Sequence, residues 1–399
     1  MNKKISVGAT IAVAALAVAI TFCVTVNFMT DRFERQLGAL ENLRRTYEKT
    51  QELDDVIAQN AYFTITDIQR DDNIGRAYAS ALREAGDRYA YYYTAEEYTA
   101  RETENAGGGA GFGISVKPTA EDEMKVYNVL RGSPADSAGL RPGDIILSVG
   151  DAEADGFNAL ADALDGAEGT VKLTVRRGEE KKEFSVSPGD YTVTSVYAER
   201  VGGIAVVRIT AFHADTDEQF ISLINELSQD ASVTGLVFDL RQNGGGLLTS
   251  VVNMLDRLLP AGVVVTEKDK NGKEIDRFSS DATSLDLPMA VLVDKGTASA
   301  SELFACAMRD YDKAKLVGEE TYGKGCVQTT HPFSDGSALT FTTALYYPPA
   351  SDNFDGKPLK PDEEVLLSEE QKENFYSLTP ENDPQLIAAL DLLSSPAAN

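Results

Sequence analysis

Hydrophobic and polar positions divide the chain into four stretches of different rhythm. Residues 5–29 carry no charge and follow the basic flank Asn2-Lys3-Lys4. Such a run exceeds a signal-peptide core and matches the ~20 residues of a membrane-crossing helix. Lysines on its N-terminal side would keep that end in the cytoplasm and the rest outside. A cleaved signal is the competing reading, because residues 12–19 offer small side chains. The apolar run continues past them, however, and Ile20-Thr21-Phe22-Cys23 is a poor lipobox. Residues 1–30 therefore read as an uncleaved, single-pass anchor in the cell membrane, with the remainder extracytoplasmic. Residues 31–104 are polar and helix-forming, with Leu37, Leu40, Leu43 and Tyr47, then Ile65 and Ile68, at helical spacings. This tract closes on the tyrosine-rich stretch AGDRYAYYYTAEEY at 85–98.

Residues 105–190 change to glycine turns between short strand-like runs, which predicts a β-rich module. From Tyr191 to the end, strands and helices alternate. Strands are predicted at Ile204–Ile209, Gly235–Leu240 and Met289–Val293, and helices around Phe220–Leu227, from Leu247 and from Ala300. That alternation is α/β. Ser334-Asp335-Gly336-Ser337 reads as a hairpin turn between strands at Val327–Thr330 and Ala338–Leu345.

A length of 399 allows two or three domains. Lys+Arg 37 against Asp+Glu 63 leaves a net charge of −26, and no basic run follows the N-terminus, which disfavours nucleic-acid partners. Three cysteines, Cys23, Cys306 and Cys326, make no disulfide framework. Only two histidines, His213 and His331, are present, so a Ser-His-Asp triad has few ways to form.

The chemistry concentrates in residues 294–328. Ser299 follows the strand at Ala290–Val293 and opens an Ala-rich helix, where unpaired N–H groups and a positive dipole suit a developing oxyanion. Lys324 lies between Gly323 and Gly325, and strand alternation would put Lys324, Cys326 and Gln328 on one face. Lysine can replace histidine as a base only when its pKa falls well below ~10.4. Plainer readings stand beside these. Ser299 and Glu302 fit a Ser-x-x-Glu capping box, a lone lysine is usually a solvated side chain, and Cys326 could itself be a thiolate nucleophile. A third element decides between them: FDLRQNGGGLL at 238–248, an apolar strand running into a glycine turn that can aim an N–H at a carbonyl oxygen.

Together the three segments resemble the carboxyl-terminal processing peptidases, or tail-specific proteases. The matching residues are Asp239-Leu240-Arg241-Gln242-Asn243-Gly244-Gly245-Gly246, Thr297-Ala298-Ser299-Ala300-Ser301-Glu302 and Gly323-Lys324-Gly325-Cys326-Val327-Gln328. The resemblance implies Ser299 as nucleophile, Lys324 as general base and Gln328 as the amide that orients the lysine. It implies oxyanion donors on the backbone of Gly245, good to one position, and Ala300. Neither metal nor cofactor is implied. GGGAGFGISV at 107–116 and GSPADSAGLRPGDIILSVGD at 132–151 resemble a PDZ domain. Its carboxylate turn maps to Gly111, Phe112 and Gly113, with Ile114 opening the strand edge that would receive a peptide.

The implied architecture is a crotonase-like α/β core at 191–399 with an inserted PDZ domain and an N-terminal helical segment at 31–104. That segment would dock on the catalytic body or on a second subunit, giving a homo-oligomer. The implied substrates are proteins with free, apolar C-termini, cut near those ends. Two rivals are weighed: a catalytically silent PDZ scaffold at the membrane, and a crotonase-type CoA enzyme. Filled catalytic positions oppose the first; the PDZ signature and the export segment oppose the second. A penicillin-binding enzyme would want Ser-x-x-Lys, and Ser299 has Glu302 there.

Overall fold

The structure is a computed structural model that describes residues 7–153, 156–281 and 283–394. The chain forms two compact units, Met1–Asn73 and Ile74–Asn399. In the first, one helix, α1 (Val7–Asn60), covers most of the length, and α2 (Asp67–Glu84) begins there and continues into the second. The uncharged run at 5–29 starts in residues outside the described set. Among the described residues no helix is long and apolar enough to cross a membrane. The helical rhythm predicted from Leu37 falls within α1. Ile65 and Ile68 are exposed.

The second unit opens with the tyrosine-rich strand β1 (Tyr91–Tyr93) and α3 (Ala95–Asn105). Thr94 caps α3 through a reciprocal capping box with Glu97. A short β2 (Gly108–Gly109) leads into the β-rich module: β3 (Ile114–Pro118), β4 (Met124–Val129), α4 (Pro134–Ala138), β5 (Ile145–Val149), β6 (Ala152–Glu153), α5 (Phe157–Asp165), β7 (Val171–Arg177) and β8 (Glu180–Val186). Its sheet runs β3-β4-β5-β7-β8, so β3 is an edge strand. The module has its own core, in which Met124, Val126, Ile146, Leu160 and Leu173 are fully buried.

Beyond β9 (Tyr191–Thr192) come β10 (Val196–Val201), β11 (Ile204–Ile209), α6 (Thr216–Gln229), β12 (Gly235–Asp239), α7 (Leu248–Leu258), β13 (Gly262–Lys268), β14 (Glu274–Ser280), β15 (Met289–Val293), α8 (Ala300–Asp310), β16 (Ala314–Gly318), β17 (Cys326–Pro332), β18 (Ala338–Tyr347), β19 (Glu363–Glu364), α9 (Glu369–Glu373) and α10 (Pro384–Ser394). The main sheet has the order β10-β11-β12-β15-β16-β19, and every pairing in it after the first is parallel. All five residues of β12 and of β15 are buried, as parallel strands covered on both faces require. Leu236 and Phe238 point with Met289, Val291 and Val293 into the core shared with α6, α7 and α8. Val237 points the other way with Ala290 and Leu292, against Leu386 and Ala389 of α10. A second sheet, β1-β18-β13-β14 with β17 on β18, carries the predicted hairpin, turned by Asp335 and Ser337.

Candidate active site

The carboxyl ends of β12 and β15 are neighbours in the parallel sheet, and the two loops that leave them build the site, as the crevice rule for α/β sheets expects. After β12, Asp239 and Arg241 enter a buried ionic cluster. Arg241 donates to both oxygens of Asp239 (2.9 and 2.7 Å), to both of Asp383 (3.0 and 2.8 Å) and to Gln385. Arg208 adds a 2.5 Å contact to Asp239. Burial opposes ionisation of Asp239, but the two guanidinium groups outweigh it and hold the carboxyl below the usual range. The base of the glycine turn is therefore rigid. Asn243, fully buried, then donates to Ile209 O (2.9 Å) and accepts from Gly245 N–H (2.9 Å).

After β15, Asp294 gathers the second loop onto the first. Its carboxylate accepts from the amides of Gln242 (2.9 Å), Gly296 (2.9 Å) and Thr297 (3.1 Å), and from the Gln242 side chain (2.7 Å). The loop ends at Ser299 with φ 57° and ψ −118°. An N-cap serine ordinarily sits in the β region, so this residue is strained by roughly 1–3 kcal/mol. The predicted capping box is present, with Ser299 N–H donating to Glu302 Oε2 at 2.9 Å. Capping alone does not require the strained turn.

Glu302 does more than cap. The fully buried carboxylate also accepts from Gly323 N–H (2.7 Å), Lys324 N–H (2.8 Å) and the Thr321 hydroxyl. Burial pushes its pKa up, while these donors pull the other way. The amides of Ser299 and Lys324 thus meet at one carboxylate oxygen, which places the helix start against the glycine turn. The turn is held from its other side by residues 353–359. Asn353 donates to Gly325 O (2.6 Å), Asp355 accepts from Gly325 N–H (3.2 Å), and Gly356 N–H donates to Gly323 O (2.9 Å). A β-carbon on Gly325 would fall 2.4 Å from Asp355 N, so only glycine fits. Asp310, at the far end of α8, pins the start of that segment by accepting from Ala350 N–H (2.9 Å), Ser351 N–H (2.8 Å) and the Ser351 hydroxyl (2.5 Å).

Lys324 is half-buried, and burial lowers its pKa below the ordinary lysine value, the largest influence on it. Its ammonium lies over the Tyr89 ring, 4.6 Å from the centroid. Among the described residues it has neither an ion-pair nor a hydrogen-bond partner. The strand β17 begins only at Cys326, so Lys324 precedes it. Cys326 and Gln328 share a face, Gln328 Nε2 donating to Cys326 at 3.0 Å to the sulfur and 3.3 Å to the carbonyl oxygen, and Cys326 is among the groups that act on Lys324. The register shift against β18 passes over Thr343 and leaves β17 itself unbroken. Burial raises the Cys326 thiol to about 11, so the thiolate reading loses its basis.

The two expected oxyanion amides differ. Ala300 occupies the first helical position, whose N–H has no partner within the helix. Gly245 N–H is taken by Asn243, although the residue packs directly on Ser299: a β-carbon there would lie 3.0 Å from Ser299 Cβ and 3.1 Å from Ala300 N. Sequence reasoning missed the bridging role of Glu302, the Asp294 clamp, the cradle at 353–359 and the Arg208 cluster. Of these only Glu302 left a local signal, the capping box.

In the β-rich module, Gly111 (φ 88°) and Gly113 (φ 74°) turn the chain into β3. The carbonyls of Gly111, Phe112 and Gly113 all accept from the module itself. A cavity of about 360 Å³ opens between Phe112, Gly113 and Ile114 on one side and Leu164 and Asp165 of α5 on the other. Tyr127 of β4 meets Tyr376 edge-on at 5.2 Å, and Tyr376 and Phe375 stack on Arg208. A continuous packed route therefore joins this module to the ionic cluster under the glycine turn.

The sequence profile of peptidase family S41 matches residues 203–365, and that of the PDZ domain matches 125–177. A protein named "Probable CtpA-like serine protease" from Staphylococcus haemolyticus (strain JCSC1435) is 33% identical over 342 residues, which cover 82% of this chain and 67% of that protein. Its namesake from Staphylococcus aureus (strain N315) is 34% identical over 302 residues, 74% of this chain and 60% of that protein. The chain thus spans about three-fifths of the S. aureus relative. Among solved structures, a photosystem II D1 C-terminal processing protease superposes with a TM-score of 0.51 at 27% identity, covering 90% of this chain and 91% of that one. An S41 protease from Bacteroides fragilis NCTC 9343 gives 0.57 at 16% identity over 84% and 91%, a likeness of fold alone. With a strained serine opening α8, a buried lysine turn bridged to it and a PDZ module beside them, the chain belongs to peptidase family S41, the carboxyl-terminal processing serine peptidases.

Proposed function

We propose that this chain is an endopeptidase that cuts proteins near their C-termini, with Ser299 as nucleophile and Lys324 as general base. The observation that carries the reading is the meeting of the Ser299 and Lys324 amides on Glu302, with a half-buried lysine amine that makes no direct ion pair among the described residues. Neutral Lys324 leaves the Tyr89 face and takes the proton from Ser299 Oγ as Oγ bonds to the scissile carbonyl carbon. It returns that proton to the leaving amine as the C–N bond breaks. Water then attacks the acyl-enzyme and is deprotonated by the same amine, releasing the new carboxyl end and restoring Ser299. The Ala300 amide holds the oxyanion, and Gly245 joins it once Asn243 releases or shares its N–H. Gln328, now on Cys326, orients the amine after it moves.

We further assign the cavity at Gly111, Phe112, Gly113 and Ile114 to a substrate's terminal carboxylate and apolar last side chain, with the peptide added along the β3 edge. Tyr127, Tyr376 and Arg208 supply a route by which an occupied cavity would gate the site. The α/β core is read as crotonase-like, on the strength of its parallel strands and backbone oxyanion donors. The uncharged run at 5–29 is assigned as the membrane anchor. Mass spectrometry of fragments from an unstructured protein with an apolar tail tests the whole reading. Cleavage near the C-terminus should vanish in Ser299→Ala and slow several-fold when the tail is amidated. Persistence of cleavage in Ser299→Ala would remove the mechanism.

A further inference from the structure

The motif Gly86-Asp87-Arg88-Tyr89 connects α2 to β1 and carries the ring on which the Lys324 amine rests. Its architecture is that of a clasp. Asp87 accepts from the amide (2.7 Å) and hydroxyl (2.8 Å) of Thr342 on β18, and from the amide of Tyr89 (3.2 Å). The following strand pairs with β18 in register, Tyr91 opposite Thr340, and Arg83 of α2 donates to Ala90 O at 2.8 Å. These five ties fix the backbone that carries one aromatic ring, and that ring lies 4.6 Å beneath the Lys324 ammonium.

We propose that Tyr89 is a positioning residue for Lys324, its clasped ring forming the wall that keeps water from the amine and sets where the amine rests. The inference builds on the reading of Lys324 as the base. Behind the ring lies a cavity of about 270 Å³, lined by Asp87, Arg88, Tyr89, Cys326 and Asp355 among others, but not by Lys324. Tyr89 thus borders both this space and the amine. The Tyr89 hydroxyl is buried without a partner, so the ring is not there to deliver a hydrogen bond in this state.

Two effects of the ring oppose each other. Its face favours the charged ammonium, whereas the exclusion of water favours the neutral amine. The charged and titratable groups facing Lys324 are Arg101 of α3, Glu302 of α8, Cys326 of β17 and Asp355 of the cradle. Those facing Tyr89 are Arg88, Cys326, Tyr322 and Asp355. Cys326, Asp355 and Glu302 favour the ammonium and Arg101 opposes it, yet burial is the largest influence and lowers the pKa. Opening the wall should therefore make the amine more basic, not less.

The test titrates the amine itself by pH-dependent competitive acylation of Lys324, read by mass spectrometry, beside the pH profile of kcat/KM. Tyr89→Ala should raise both midpoints by about one unit. That shift cuts kcat/KM about tenfold at neutral pH, with activity recovered at high pH. Tyr89→Phe keeps the wall and should leave the amine midpoint where it is in the native chain. If Tyr89→Ala does not fold, Tyr89→Val opens the same wall. An amine midpoint that stays or falls in the opened variants overturns the proposal. So does a Tyr89→Phe midpoint that moves as far as that of Tyr89→Ala, since the hydroxyl would then be the active part. If the amine midpoint rises but the kcat/KM profile does not follow, Lys324 is not the base and Tyr89 has no catalytic role.

Discussion

The three glycines at 244–246 look interchangeable in sequence, and the structure says that they are not. Gly245 holds φ 102°, and a β-carbon there would stand 2.7 Å from Ala298 O, 3.0 Å from Ser299 Cβ and 3.1 Å from Ala300 N. These are backbone atoms and the stem of Ser299, so nothing nearby can rotate away. Gly245→Ala should then cost roughly 1–3 kcal/mol in backbone strain and about 1–3 kcal/mol in overpacking. Relief can come only by separating the glycine turn from the start of α8. Because oxyanion donors act over tenths of an ångström, that separation should lower kcat by about 10²–10³-fold. Gly244 has an ordinary φ, and its added β-carbon would meet nothing within 4 Å. Gly244→Ala should stay within about 0.5 kcal/mol of the native stability. Thermal unfolding and steady-state cleavage of an unstructured substrate measure both variants. A folded Gly245→Ala enzyme within threefold of native kcat would refute the argument that this close approach serves the oxyanion.

Two further outcomes follow from the base and from the cradle around it. Burial lowers the Lys324 pKa, and the proposed role of base needs its neutral amine, so kcat/KM should rise with pH through a midpoint below ~10.4. Lys324→Arg should be inactive at every pH, since guanidinium stays protonated, and an active arginine variant would exclude lysine as the base. Asp310→Ala removes three hydrogen bonds that start the segment gripping Gly323 and Gly325. It should lose about 2–4 kcal/mol of stability and lower kcat more than it raises KM. An unchanged kcat would mean that the cradle is held well enough by Asn353 and Asp355 alone.

How much of this could be read from the sequence depends on the range of the interaction. The parallel strands at 204–209, 235–239 and 289–293 were legible because burial on both faces writes itself as a continuous apolar run. The glycine turn, the strained serine and the lysine turn were legible as motifs, each a few residues long. Alternation pairs Cys326 with Gln328, whose side chains meet, but Lys324 stands before the strand, where a glycine turn rather than alternation sets its direction. The partners that assemble the site were silent for a different reason. Asp310 and Asn353 reach residues 28 to 41 positions away, and Arg241 reaches Asp383 across 142. A lone Asp or Asn in a polar loop carries no local trace of such a bond.

Glu302 shows how a local reading can be right and still miss the function. At the third helical position it completes a capping box, and that fully explains its identity to anyone reading five residues. In the folded chain the same carboxylate is buried, and three of its four hydrogen bonds come from Ser299, Gly323 and Lys324. An exposed cap would gain little from the second pair of donors, which arrive from 21 and 22 residues downstream. Burying a carboxylate is costly unless its lone pairs are filled, so the helix start cannot keep Glu302 inside without the lysine turn beside it. The cost of that buried charge thus enforces the spacing of Ser299 and Lys324, which come from separate segments of the chain.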